Sequence, residues 1–252
     1  MNKLAASLAL LSLVAAAAPA VAQTVPPRDG LWRGSLGAGI TNVTGNSKSF
    51  NAGLSADAVR RTEFSTMSGR FLSLYGTAEQ NGTEELIVDI IRANASYDHD
   101  FTELTYGFLG YDLEKDKVAG LKWRNSPAVG AGLHLRKTDV VVFNVFGGYS
   151  YDHESLYDGT KRSFNELLLG EESEHKWTSG VSFKQRLAAY PNLTDTGEYR
   201  LQFDAGLLAP LFDRWNITVK YSLRYQSNPP PGAETMDTVL YTGLQYRWGA
   251  PE

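Results

Sequence analysis

The sequence predicts an all-β protein, namely an antiparallel transmembrane β-barrel of about 12 strands with both termini in the periplasm. Three observations support this fold class. Apolar and polar residues alternate with a period of two along much of the chain, which is typical of β-strands. The alternation continues for about ten residues at a time, whereas strands of soluble proteins usually run for about five or six. The links between these segments are alternately short and long, as in barrels with short periplasmic turns and longer external loops.

The clearest alternation lies in the last third of the chain. In the segment from Trp215 to Gln226, one face is apolar and aromatic and the other is polar and basic. Segments that begin at Tyr199 and Thr238 have the same two faces. About ten residues are enough to cross a bilayer at a tilt of about 45°. We therefore expect the apolar faces to contact lipid and the polar faces to line the lumen.

Further segments with strand-like patterns precede these three. They are 31–40, 50–58, 64–78, 86–97, 104–113, 126–136, 140–151, 164–174 and 181–189. Together they give about twelve strands, an even number as in bacterial single-chain barrels. Segment 86–97 alternates poorly, so its two faces are not assigned, and segment 164–174 is weakly patterned.

The links divide the strand ends into two sets. Shorter links fall at 61–63, 98–103, 137–139, 174–177 and 213–214, and longer or more polar links fall at 79–85, 114–123, 152–162, 190–197 and 228–237. This alternation places both termini on the side of the shorter links, which is the periplasm. Several tryptophans lie at strand ends on this side, where an interfacial aromatic girdle is expected. They are Trp32, Trp177, Trp215 and Trp248.

Residues 1–22 have the pattern of a secretory signal peptide. Lys3 is followed by an apolar run and then by the small residues Ala20, Val21 and Ala22. A membrane anchor is the alternative, but the apolar run is too short to span a bilayer. We therefore expect export, and a barrel over residues 23–252 in the bacterial outer membrane.

Composition excludes several functional classes. The formal net charge is -4 and acids and bases are interspersed, which does not suggest a nucleic-acid partner. The chain contains no cysteine, which excludes disulfides, thiolate metal sites and cysteine nucleophiles. The mean hydropathy of -0.28 argues against a helical membrane protein. It does not argue against a barrel, because residues that line the lumen are polar.

Several short stretches resemble a known family of bacterial envelope proteins. They are 37–39 (GAG), 44–47 (TGNS), 110–112 (GYD), 120–124 (GLKWR), 128–133 (AVGAGL), 228–230 (NPP), 237–238 (DT) and 244–248 (LQYRW). In these stretches the chain is similar to the family of salt-induced outer-membrane proteins, DUF481, a domain of unknown function. The resemblance spans nearly all of the predicted mature chain and implies an outer-membrane barrel. Its motifs are turn and packing signatures, and the family offers no catalytic residues to carry over.

The strongest functional candidate is a basic patch on the polar faces of the last four strands. Its residues are Lys184, Arg186, Arg200, Lys220, Arg224 and Arg247. Charges of one sign along a pore select ions of the opposite sign. The same alternation of polar and apolar residues predicts that the acids Asp57, Asp152 and Asp204 point into the lumen. The alternative is that bases and acids pair across a narrow lumen and fill it.

Catalytic and metal chemistry have little support in the sequence. The histidines His99, His134, His153 and His175 are scattered and form no metal-binding motif. We therefore predict no metal site and no cofactor. A serine–histidine site on the barrel wall could recruit His134 or His99, but no local motif supports it. We expect that the protein is not an enzyme.

Two groups of acidic residues are expected in solvated loops. The first is Asp112, Glu114 and Asp116, and the second is Glu171, Glu172 and Glu174. The first group lacks the glycine and the closing glutamate of a calcium-binding loop. Divalent ions could instead bridge such loops to lipopolysaccharide.

Three hypotheses of function follow. The first is a narrow pore for small polar, anionic solutes. The second is a closed barrel with a structural or salt-stress role in the envelope, and the third is an outer-membrane enzyme. The expected partners are outer-membrane lipid, lipopolysaccharide and the machinery that assembles barrels, with no nucleic acid.

Overall fold

The computed structural model describes residues 27–43, 49–80, 83–230 and 232–249. Within these ranges the chain forms twelve β-strands. They are β1 (Trp32–Val43), β2 (Ser49–Arg61), β3 (Ser65–Gln80), β4 (Thr83–Asp100), β5 (Thr105–Asp116), β6 (Leu121–Lys137), β7 (Val141–Leu156), β8 (Lys161–Lys176), β9 (Ser182–Pro191), β10 (Tyr199–Phe212), β11 (Trp215–Gln226) and β12 (Met236–Gly249). Each strand pairs antiparallel with its neighbour in the chain, and β1 pairs with β12 to close the barrel. The predicted fold class and strand number are confirmed.

The start of β1 and the end of β12 lie at the same rim of the barrel, because the number of strands is even. We call this the terminal rim and the opposite one the distal rim. The segment before β1 follows the terminal rim, where Arg28 Nη2 lies 2.7 Å from Asp100 Oδ2 at the end of β4. The predicted signal peptide, residues 1–22, lies outside the described residues. Among the residues that the structure describes, no helix is long and apolar enough to span a membrane.

The alternation of the sequence becomes an apolar outer wall and a polar inner wall. On β12, Leu240 is 69% exposed on the outside, while the next residue, Tyr241, is 5% exposed on the inside. On β2, Leu54 is 59% exposed and Ser55 is 3% exposed. Leaving a leucine in water rather than burying it costs about 1.5–3 kcal/mol. A wall that presents many such side chains is therefore one that is surrounded by lipid.

Several strands are longer than a bilayer requires. β4 has 18 residues, β6 has 17, and β7 and β8 have 16 each. With a rise of about 3.3 Å per residue and a tilt of about 40°, sixteen residues rise about 40 Å, against an apolar band of about 25 Å. The wall extends past the band at the distal rim, where the outward residues of β8 are Lys161, Ser163 and Asn165. The longer links predicted at 114–123 and 152–162 are therefore mostly strand.

A bulge explains why the sequence of β4 alternates poorly. The pairing of β4 with β3 shifts register between Gly76 and Thr77, and Ile87 has no cross-strand partner there. One inserted residue moves the side chains on either side of it into opposite phase. Beyond the bulge the strand is regular, with Ile90 buried inside the barrel and Arg92 bonded across it.

Candidate functional site: the lumen

Two of the predicted bases form ion pairs inside the barrel with predicted acids. Lys220 Nζ lies 2.9 Å from Asp57 Oδ2. Lys220 is on β11 and Asp57 is on β2, three strands away around the barrel. Arg224 Nη2 lies 3.0 Å from Asp204 Oδ1 on the adjacent strand. The side chains of Asp57 and Asp204 are 36% and 37% exposed. Water therefore reaches the inner wall at these positions.

Other members of the predicted basic patch also have partners. Arg200 Nη2 lies 2.5 Å from Glu166 Oε2, and Lys184 Nζ lies 3.2 Å from Glu174 Oε2. The guanidinium of Arg186 stacks on the ring of Phe146, 4.9 Å from its centre. Both glutamates come from β8. The sequence argument did not include Glu166, and it placed Glu174 in a solvated loop. The six bases do not form one uncompensated patch.

Arg247 and the tryptophans of the predicted girdle lie at the terminal rim. Arg247 pairs in register with Ser35, which is 8% exposed on the inner wall. The tryptophans are Trp32 and Trp215 at strand starts, Trp248 near a strand end, and Trp177 directly after β8. Aromatic residues at one level of a barrel are typical of a membrane interface.

Arg70 is an inward arginine that the predicted patch did not include. Arg70 on β3 pairs in register with Asp57 and Asn94, which both point into the lumen. Its side chain is exposed and, within the described residues, makes no hydrogen bond and no ion pair within 4 Å. Its charge acts on Asp204, on the far side of the lumen. The inward orientation of Arg70 was predictable from the sequence. Successive side chains of a strand point to opposite faces, so a strand with Met67 outward has Arg70 inward.

Buried ion pairs fill the distal half of the lumen. Arg124 on β6 is at their centre and donates hydrogen bonds to Glu154 at 2.5 and 2.8 Å and to Glu114 at 2.8 Å. Arg162 also bonds Glu154, at 2.6 Å, and Arg92 bonds Glu114, at 2.8 Å. Guanidinium and carboxylate groups alternate in this network, so each charge has partners of the opposite sign. We call these five residues the distal network.

Two hydrogen bonds of the distal network cross the lumen. Arg92 on β4 donates to Ser222 on β11 at 2.9 Å, and Arg124 on β6 donates to Gln226 on β11 at 2.9 Å. In both cases the strands are five positions apart around twelve, so they belong to nearly opposite walls. The pocket between these side chains and the link after β11 has about 40 Å³ open to water. That volume holds only a few water molecules.

Asp152 joins the distal network to the predicted basic patch. Its side chain is completely buried and lies 3.3 Å from Arg124 Nε and 3.5 Å from Arg200 Nη2. Ser126 donates a hydrogen bond to its other oxygen. A buried carboxylate is tolerated only where it is paired and hydrogen-bonded. The bases around Asp152 therefore compensate its charge before they can act on a solute.

An apolar cluster fills the lumen along β5 to β9. Its buried members are Tyr106, Phe146, Leu168, Ala188 and Tyr190. The rings fit because each lies over a glycine of the adjacent strand. A side-chain carbon on Gly132 would overlap the Tyr106 ring, and one on Gly170 would overlap the Phe146 ring. The space that remains open to water is therefore displaced toward β10–β12 and β1–β3, where Arg70 is exposed and Asp204 and Asp57 are partly exposed.

Comparison with known families places the chain in one of them. Residues 36–248 match the family described as "Protein of unknown function, DUF481". The chain belongs to the DUF481 family. This result confirms the resemblance of the sequence motifs. No curated protein matches this DUF481 chain.

Several solved structures are similar to the DUF481 chain at low sequence identity. One is the translocator domain of the autotransporter NalP from Neisseria meningitidis, with 15% identity, a TM-score of 0.45, and coverage of 87% of this chain and 88% of that one. The NanC porin has 11% identity, a TM-score of 0.47, and coverage of 86% and 97%. The KdgM porin has 12% identity, a TM-score of 0.43, and coverage of 85% and 98%. The architecture of the DUF481 barrel rests on its own strand pairing.

The acids predicted for a solvated loop at 112–116 lie on β5 of the DUF481 barrel. Asp112 accepts a hydrogen bond from Asn94 at 2.8 Å inside the lumen, and Glu114 belongs to the distal network. Asp116 ends the strand and is 7% exposed. The loop prediction was wrong, because it assumed strands no longer than a bilayer, whereas β5 continues to the distal rim.

The second predicted loop, at 171–174, is part of β8. Glu172 accepts a hydrogen bond from Asn144 at 3.0 Å inside the lumen, and Glu174 pairs with Lys184. Glu171 is turned to the outer wall, where Gln185 donates a hydrogen bond to it at 3.3 Å. This loop prediction was also wrong. The pattern of β8 is weak because both of its faces carry carboxylates.

The histidines of the DUF481 barrel have separate surroundings. Inside the lumen, His134 Nδ1 lies 2.8 Å from Asn144 Oδ1 and His134 Nε2 lies 3.0 Å from Asp100 Oδ1. On the outer wall near the distal rim, His153 Nδ1 lies 2.8 Å from Ser163 Oγ. In the described part of the chain no acid or amide binds the other nitrogen of His153, so the pair lacks the group that orients a catalytic histidine. In that same part, no group of three or more His, Asp or Glu residues could hold a metal ion.

Proposed function

We propose that this DUF481 protein is a narrow pore that passes ions and small polar, anionic solutes. The observation that best supports it is the water-accessible part of the inner wall, where Arg70 is exposed and Asp57 and Asp204 are partly exposed. Burying an ion costs several kcal/mol even after the protein relaxes. A lumen that keeps charges in water along one side is suited to charged and polar solutes.

The outer wall supports a location in the bacterial outer membrane. An apolar band, an even number of strands, and both chain ends at one rim with tryptophans are the arrangement of outer-membrane barrels with periplasmic termini. The terminal rim then faces the periplasm and the distal rim faces the outside. Outer-membrane lipid and lipopolysaccharide surround the wall, and the barrel-assembly machinery inserts the exported chain.

Anion preference depends on the charges that reach water. The bases of the predicted patch that pair with acids are Lys184, Arg200, Lys220 and Arg224. Arg70 is not compensated in this way and adds a positive charge to the wet side of the lumen. At 0.1 M salt the Debye length is about 10 Å, and it grows as salt is diluted. We therefore expect a modest preference for anions that increases at low salt.

The test is a planar-bilayer recording of the purified protein in a salt gradient. The wild type is expected to conduct, and the sign of its reversal potential is expected to indicate a preference for anions. Arg70→Glu is expected to move the reversal potential toward cation preference, while Arg70→Lys, which keeps the charge, is expected to leave it near the wild-type value. A wild type that conducts with cation preference contradicts the role of Arg70.

A closed barrel with a structural role in the envelope is the second candidate. The observation in its favour is the pair of hydrogen bonds that cross the lumen, from Arg92 to Ser222 and from Arg124 to Gln226. If these bonds persist, ions meet a barrier in the distal half. A wild type that never conducts, beside an Arg92→Ala variant that does, would favour the closed barrel over the pore.

A further inference from the structure

A carboxylate lies on the lipid-facing wall of the barrel. Glu171 on β8 pairs in register with Val145 on β7 and Leu187 on β9, and all three point outward. On the same face, Ser173 pairs with Gln185. These three polar side chains on adjacent strands thus form one patch, with apolar neighbours such as Val145 and Leu187. We call Glu171, Ser173 and Gln185 the outer polar patch.

The outer polar patch lies inside the apolar band and not at its edge. Along β8, Glu171 lies between Trp177 at the terminal rim and Leu167, which pairs with the exposed Tyr149 toward the distal rim. With a rise of about 3.3 Å per residue and a tilt of about 40°, Trp177 is about 15 Å and Leu167 about 10 Å from Glu171 along the barrel axis. The band is about 25 Å tall. Glu171 is therefore close to its middle.

Polar groups at this depth need hydrogen-bond partners, because lipid tails offer none. Gln185 Nε2 donates one hydrogen bond, at 3.3 Å, to Glu171 Oε1. Within the described residues, Glu171 Oε2 and the Ser173 hydroxyl make no hydrogen bond, and Gln185 has a second N–H to donate. Ionisable groups in the hydrocarbon region are rare and usually face another protein surface or a cavity.

We propose that the outer polar patch binds the same patch of a second copy of this chain. A two-fold axis along the membrane normal, between β8 and β9, places β8 of each copy opposite β9 of the other at the same depth. Each Gln185 can then donate its second N–H to Glu171 of the partner subunit. This self-complementarity favours a second copy over an unrelated partner. Gly147 and Ala205, which lie on the outer wall beside the patch, permit close approach.

The absence of cysteine from the chain makes a direct test possible. Ser173→Cys places a thiol beside the proposed axis, and the matched control Leu54→Cys places one on the opposite wall, at a residue that is 59% exposed. Both variants are oxidised in isolated outer membranes and run on non-reducing gels. We expect a covalent homodimer for Ser173→Cys and none for Leu54→Cys. Equal cross-linking of the two variants, or a Ser173→Cys adduct with a different protein, overturns the proposal.

A second variant tests the polar contact itself. Glu171→Leu suits a lipid-facing site, so the barrel is expected to fold, which heat-modifiable migration on gels verifies. In the Ser173→Cys background it is expected to reduce cross-linking at least several-fold, and light scattering in detergent is expected to show a monomer. Undiminished dimer contradicts the proposal. The patch faces away from the lumen, so the conductance of Glu171→Leu reports on the pore separately from the dimer.

Discussion

Removing Arg124 should destabilise the barrel more than removing any exposed base of the lumen. Arg124 is 9% exposed and donates hydrogen bonds to Glu154, Glu114 and Gln226. In Arg124→Met the carboxylates stay buried with one cation fewer between them. Breaking a buried pair in this way costs about 3–5 kcal/mol. Since Arg162 still bonds Glu154, we expect a loss near about 3 kcal/mol, at the lower end of that range.

The assay is reversible unfolding by guanidinium in lipid vesicles, followed by tryptophan fluorescence. The matched control is Lys220→Met, because Lys220 and its partner Asp57 are 24% and 36% exposed. Exposed pairs contribute about 0–1 kcal/mol, so this variant should unfold close to the wild type. The difference between the two variants measures the effect of burial at a similar change in charge.

A double variant separates lost packing from uncompensated charge. Arg124→Met with Glu154→Gln removes the cation and one of its carboxylates, so part of the lost stability should return. If Arg124→Met unfolds within about 1 kcal/mol of the wild type, the distal network is solvated and this reasoning is refuted. If the double variant is no more stable than Arg124→Met, the charge argument fails even though the single substitution is costly.

Three further perturbations test the two walls and the terminal rim. Leu240→Arg, on the outer wall, should cost about 2–4 kcal/mol in the same titration if it lies near the bilayer midplane, and no loss would contradict the facing assignment. Phe146→Ala should cost about 3–5 kcal/mol and raise single-channel conductance, because it empties part of the apolar cluster. At the rim, hydrogen bonds from Arg33 hold the pKa of Asp29 well below its usual value of 3.8. The ion pair between Arg33 and Asp29 should therefore persist as pH falls through 3.8 and break only below it. Faster pepsin cleavage of the segment before β1 would detect the break, and a break above pH 3.8 would contradict the reasoning.

Much of the fold follows from the sequence, because the period of two is set by the pleat of each strand. The predicted bounds of β11 equal the observed ones, and those of β10 differ by one residue at most. The predictions fail where one residue breaks the phase, as Ile87 does in β4, or where both faces are polar, as in β8. In β5, the sequence alone does not tell a strand that continues above the membrane from a loop. Glu114 was assigned to a loop for that reason.

The contacts inside the lumen could not be predicted in the same way. Alternation shows that Arg92 and Ser222 face inward, but not that they meet across 130 positions of sequence separation. Which residues oppose each other depends on the stagger of all the strands around the closed barrel. The distal network is a property of that closure. Arg70 differs, since its inward phase was visible and only its lack of a close partner required coordinates.

The strands that rise past the apolar band have a consequence for the cell surface. At the distal rim the links after β5 and β7 span only residues 117–120 and 157–160. With that rim outside, the exposed part formed by β5 to β8 is a stiff collar of hydrogen-bonded sheet. Proteases cut exposed flexible segments, so intact cells should resist surface proteolysis here. Antibodies raised against the collar should recognise its folded shape and lose binding once the protein is boiled.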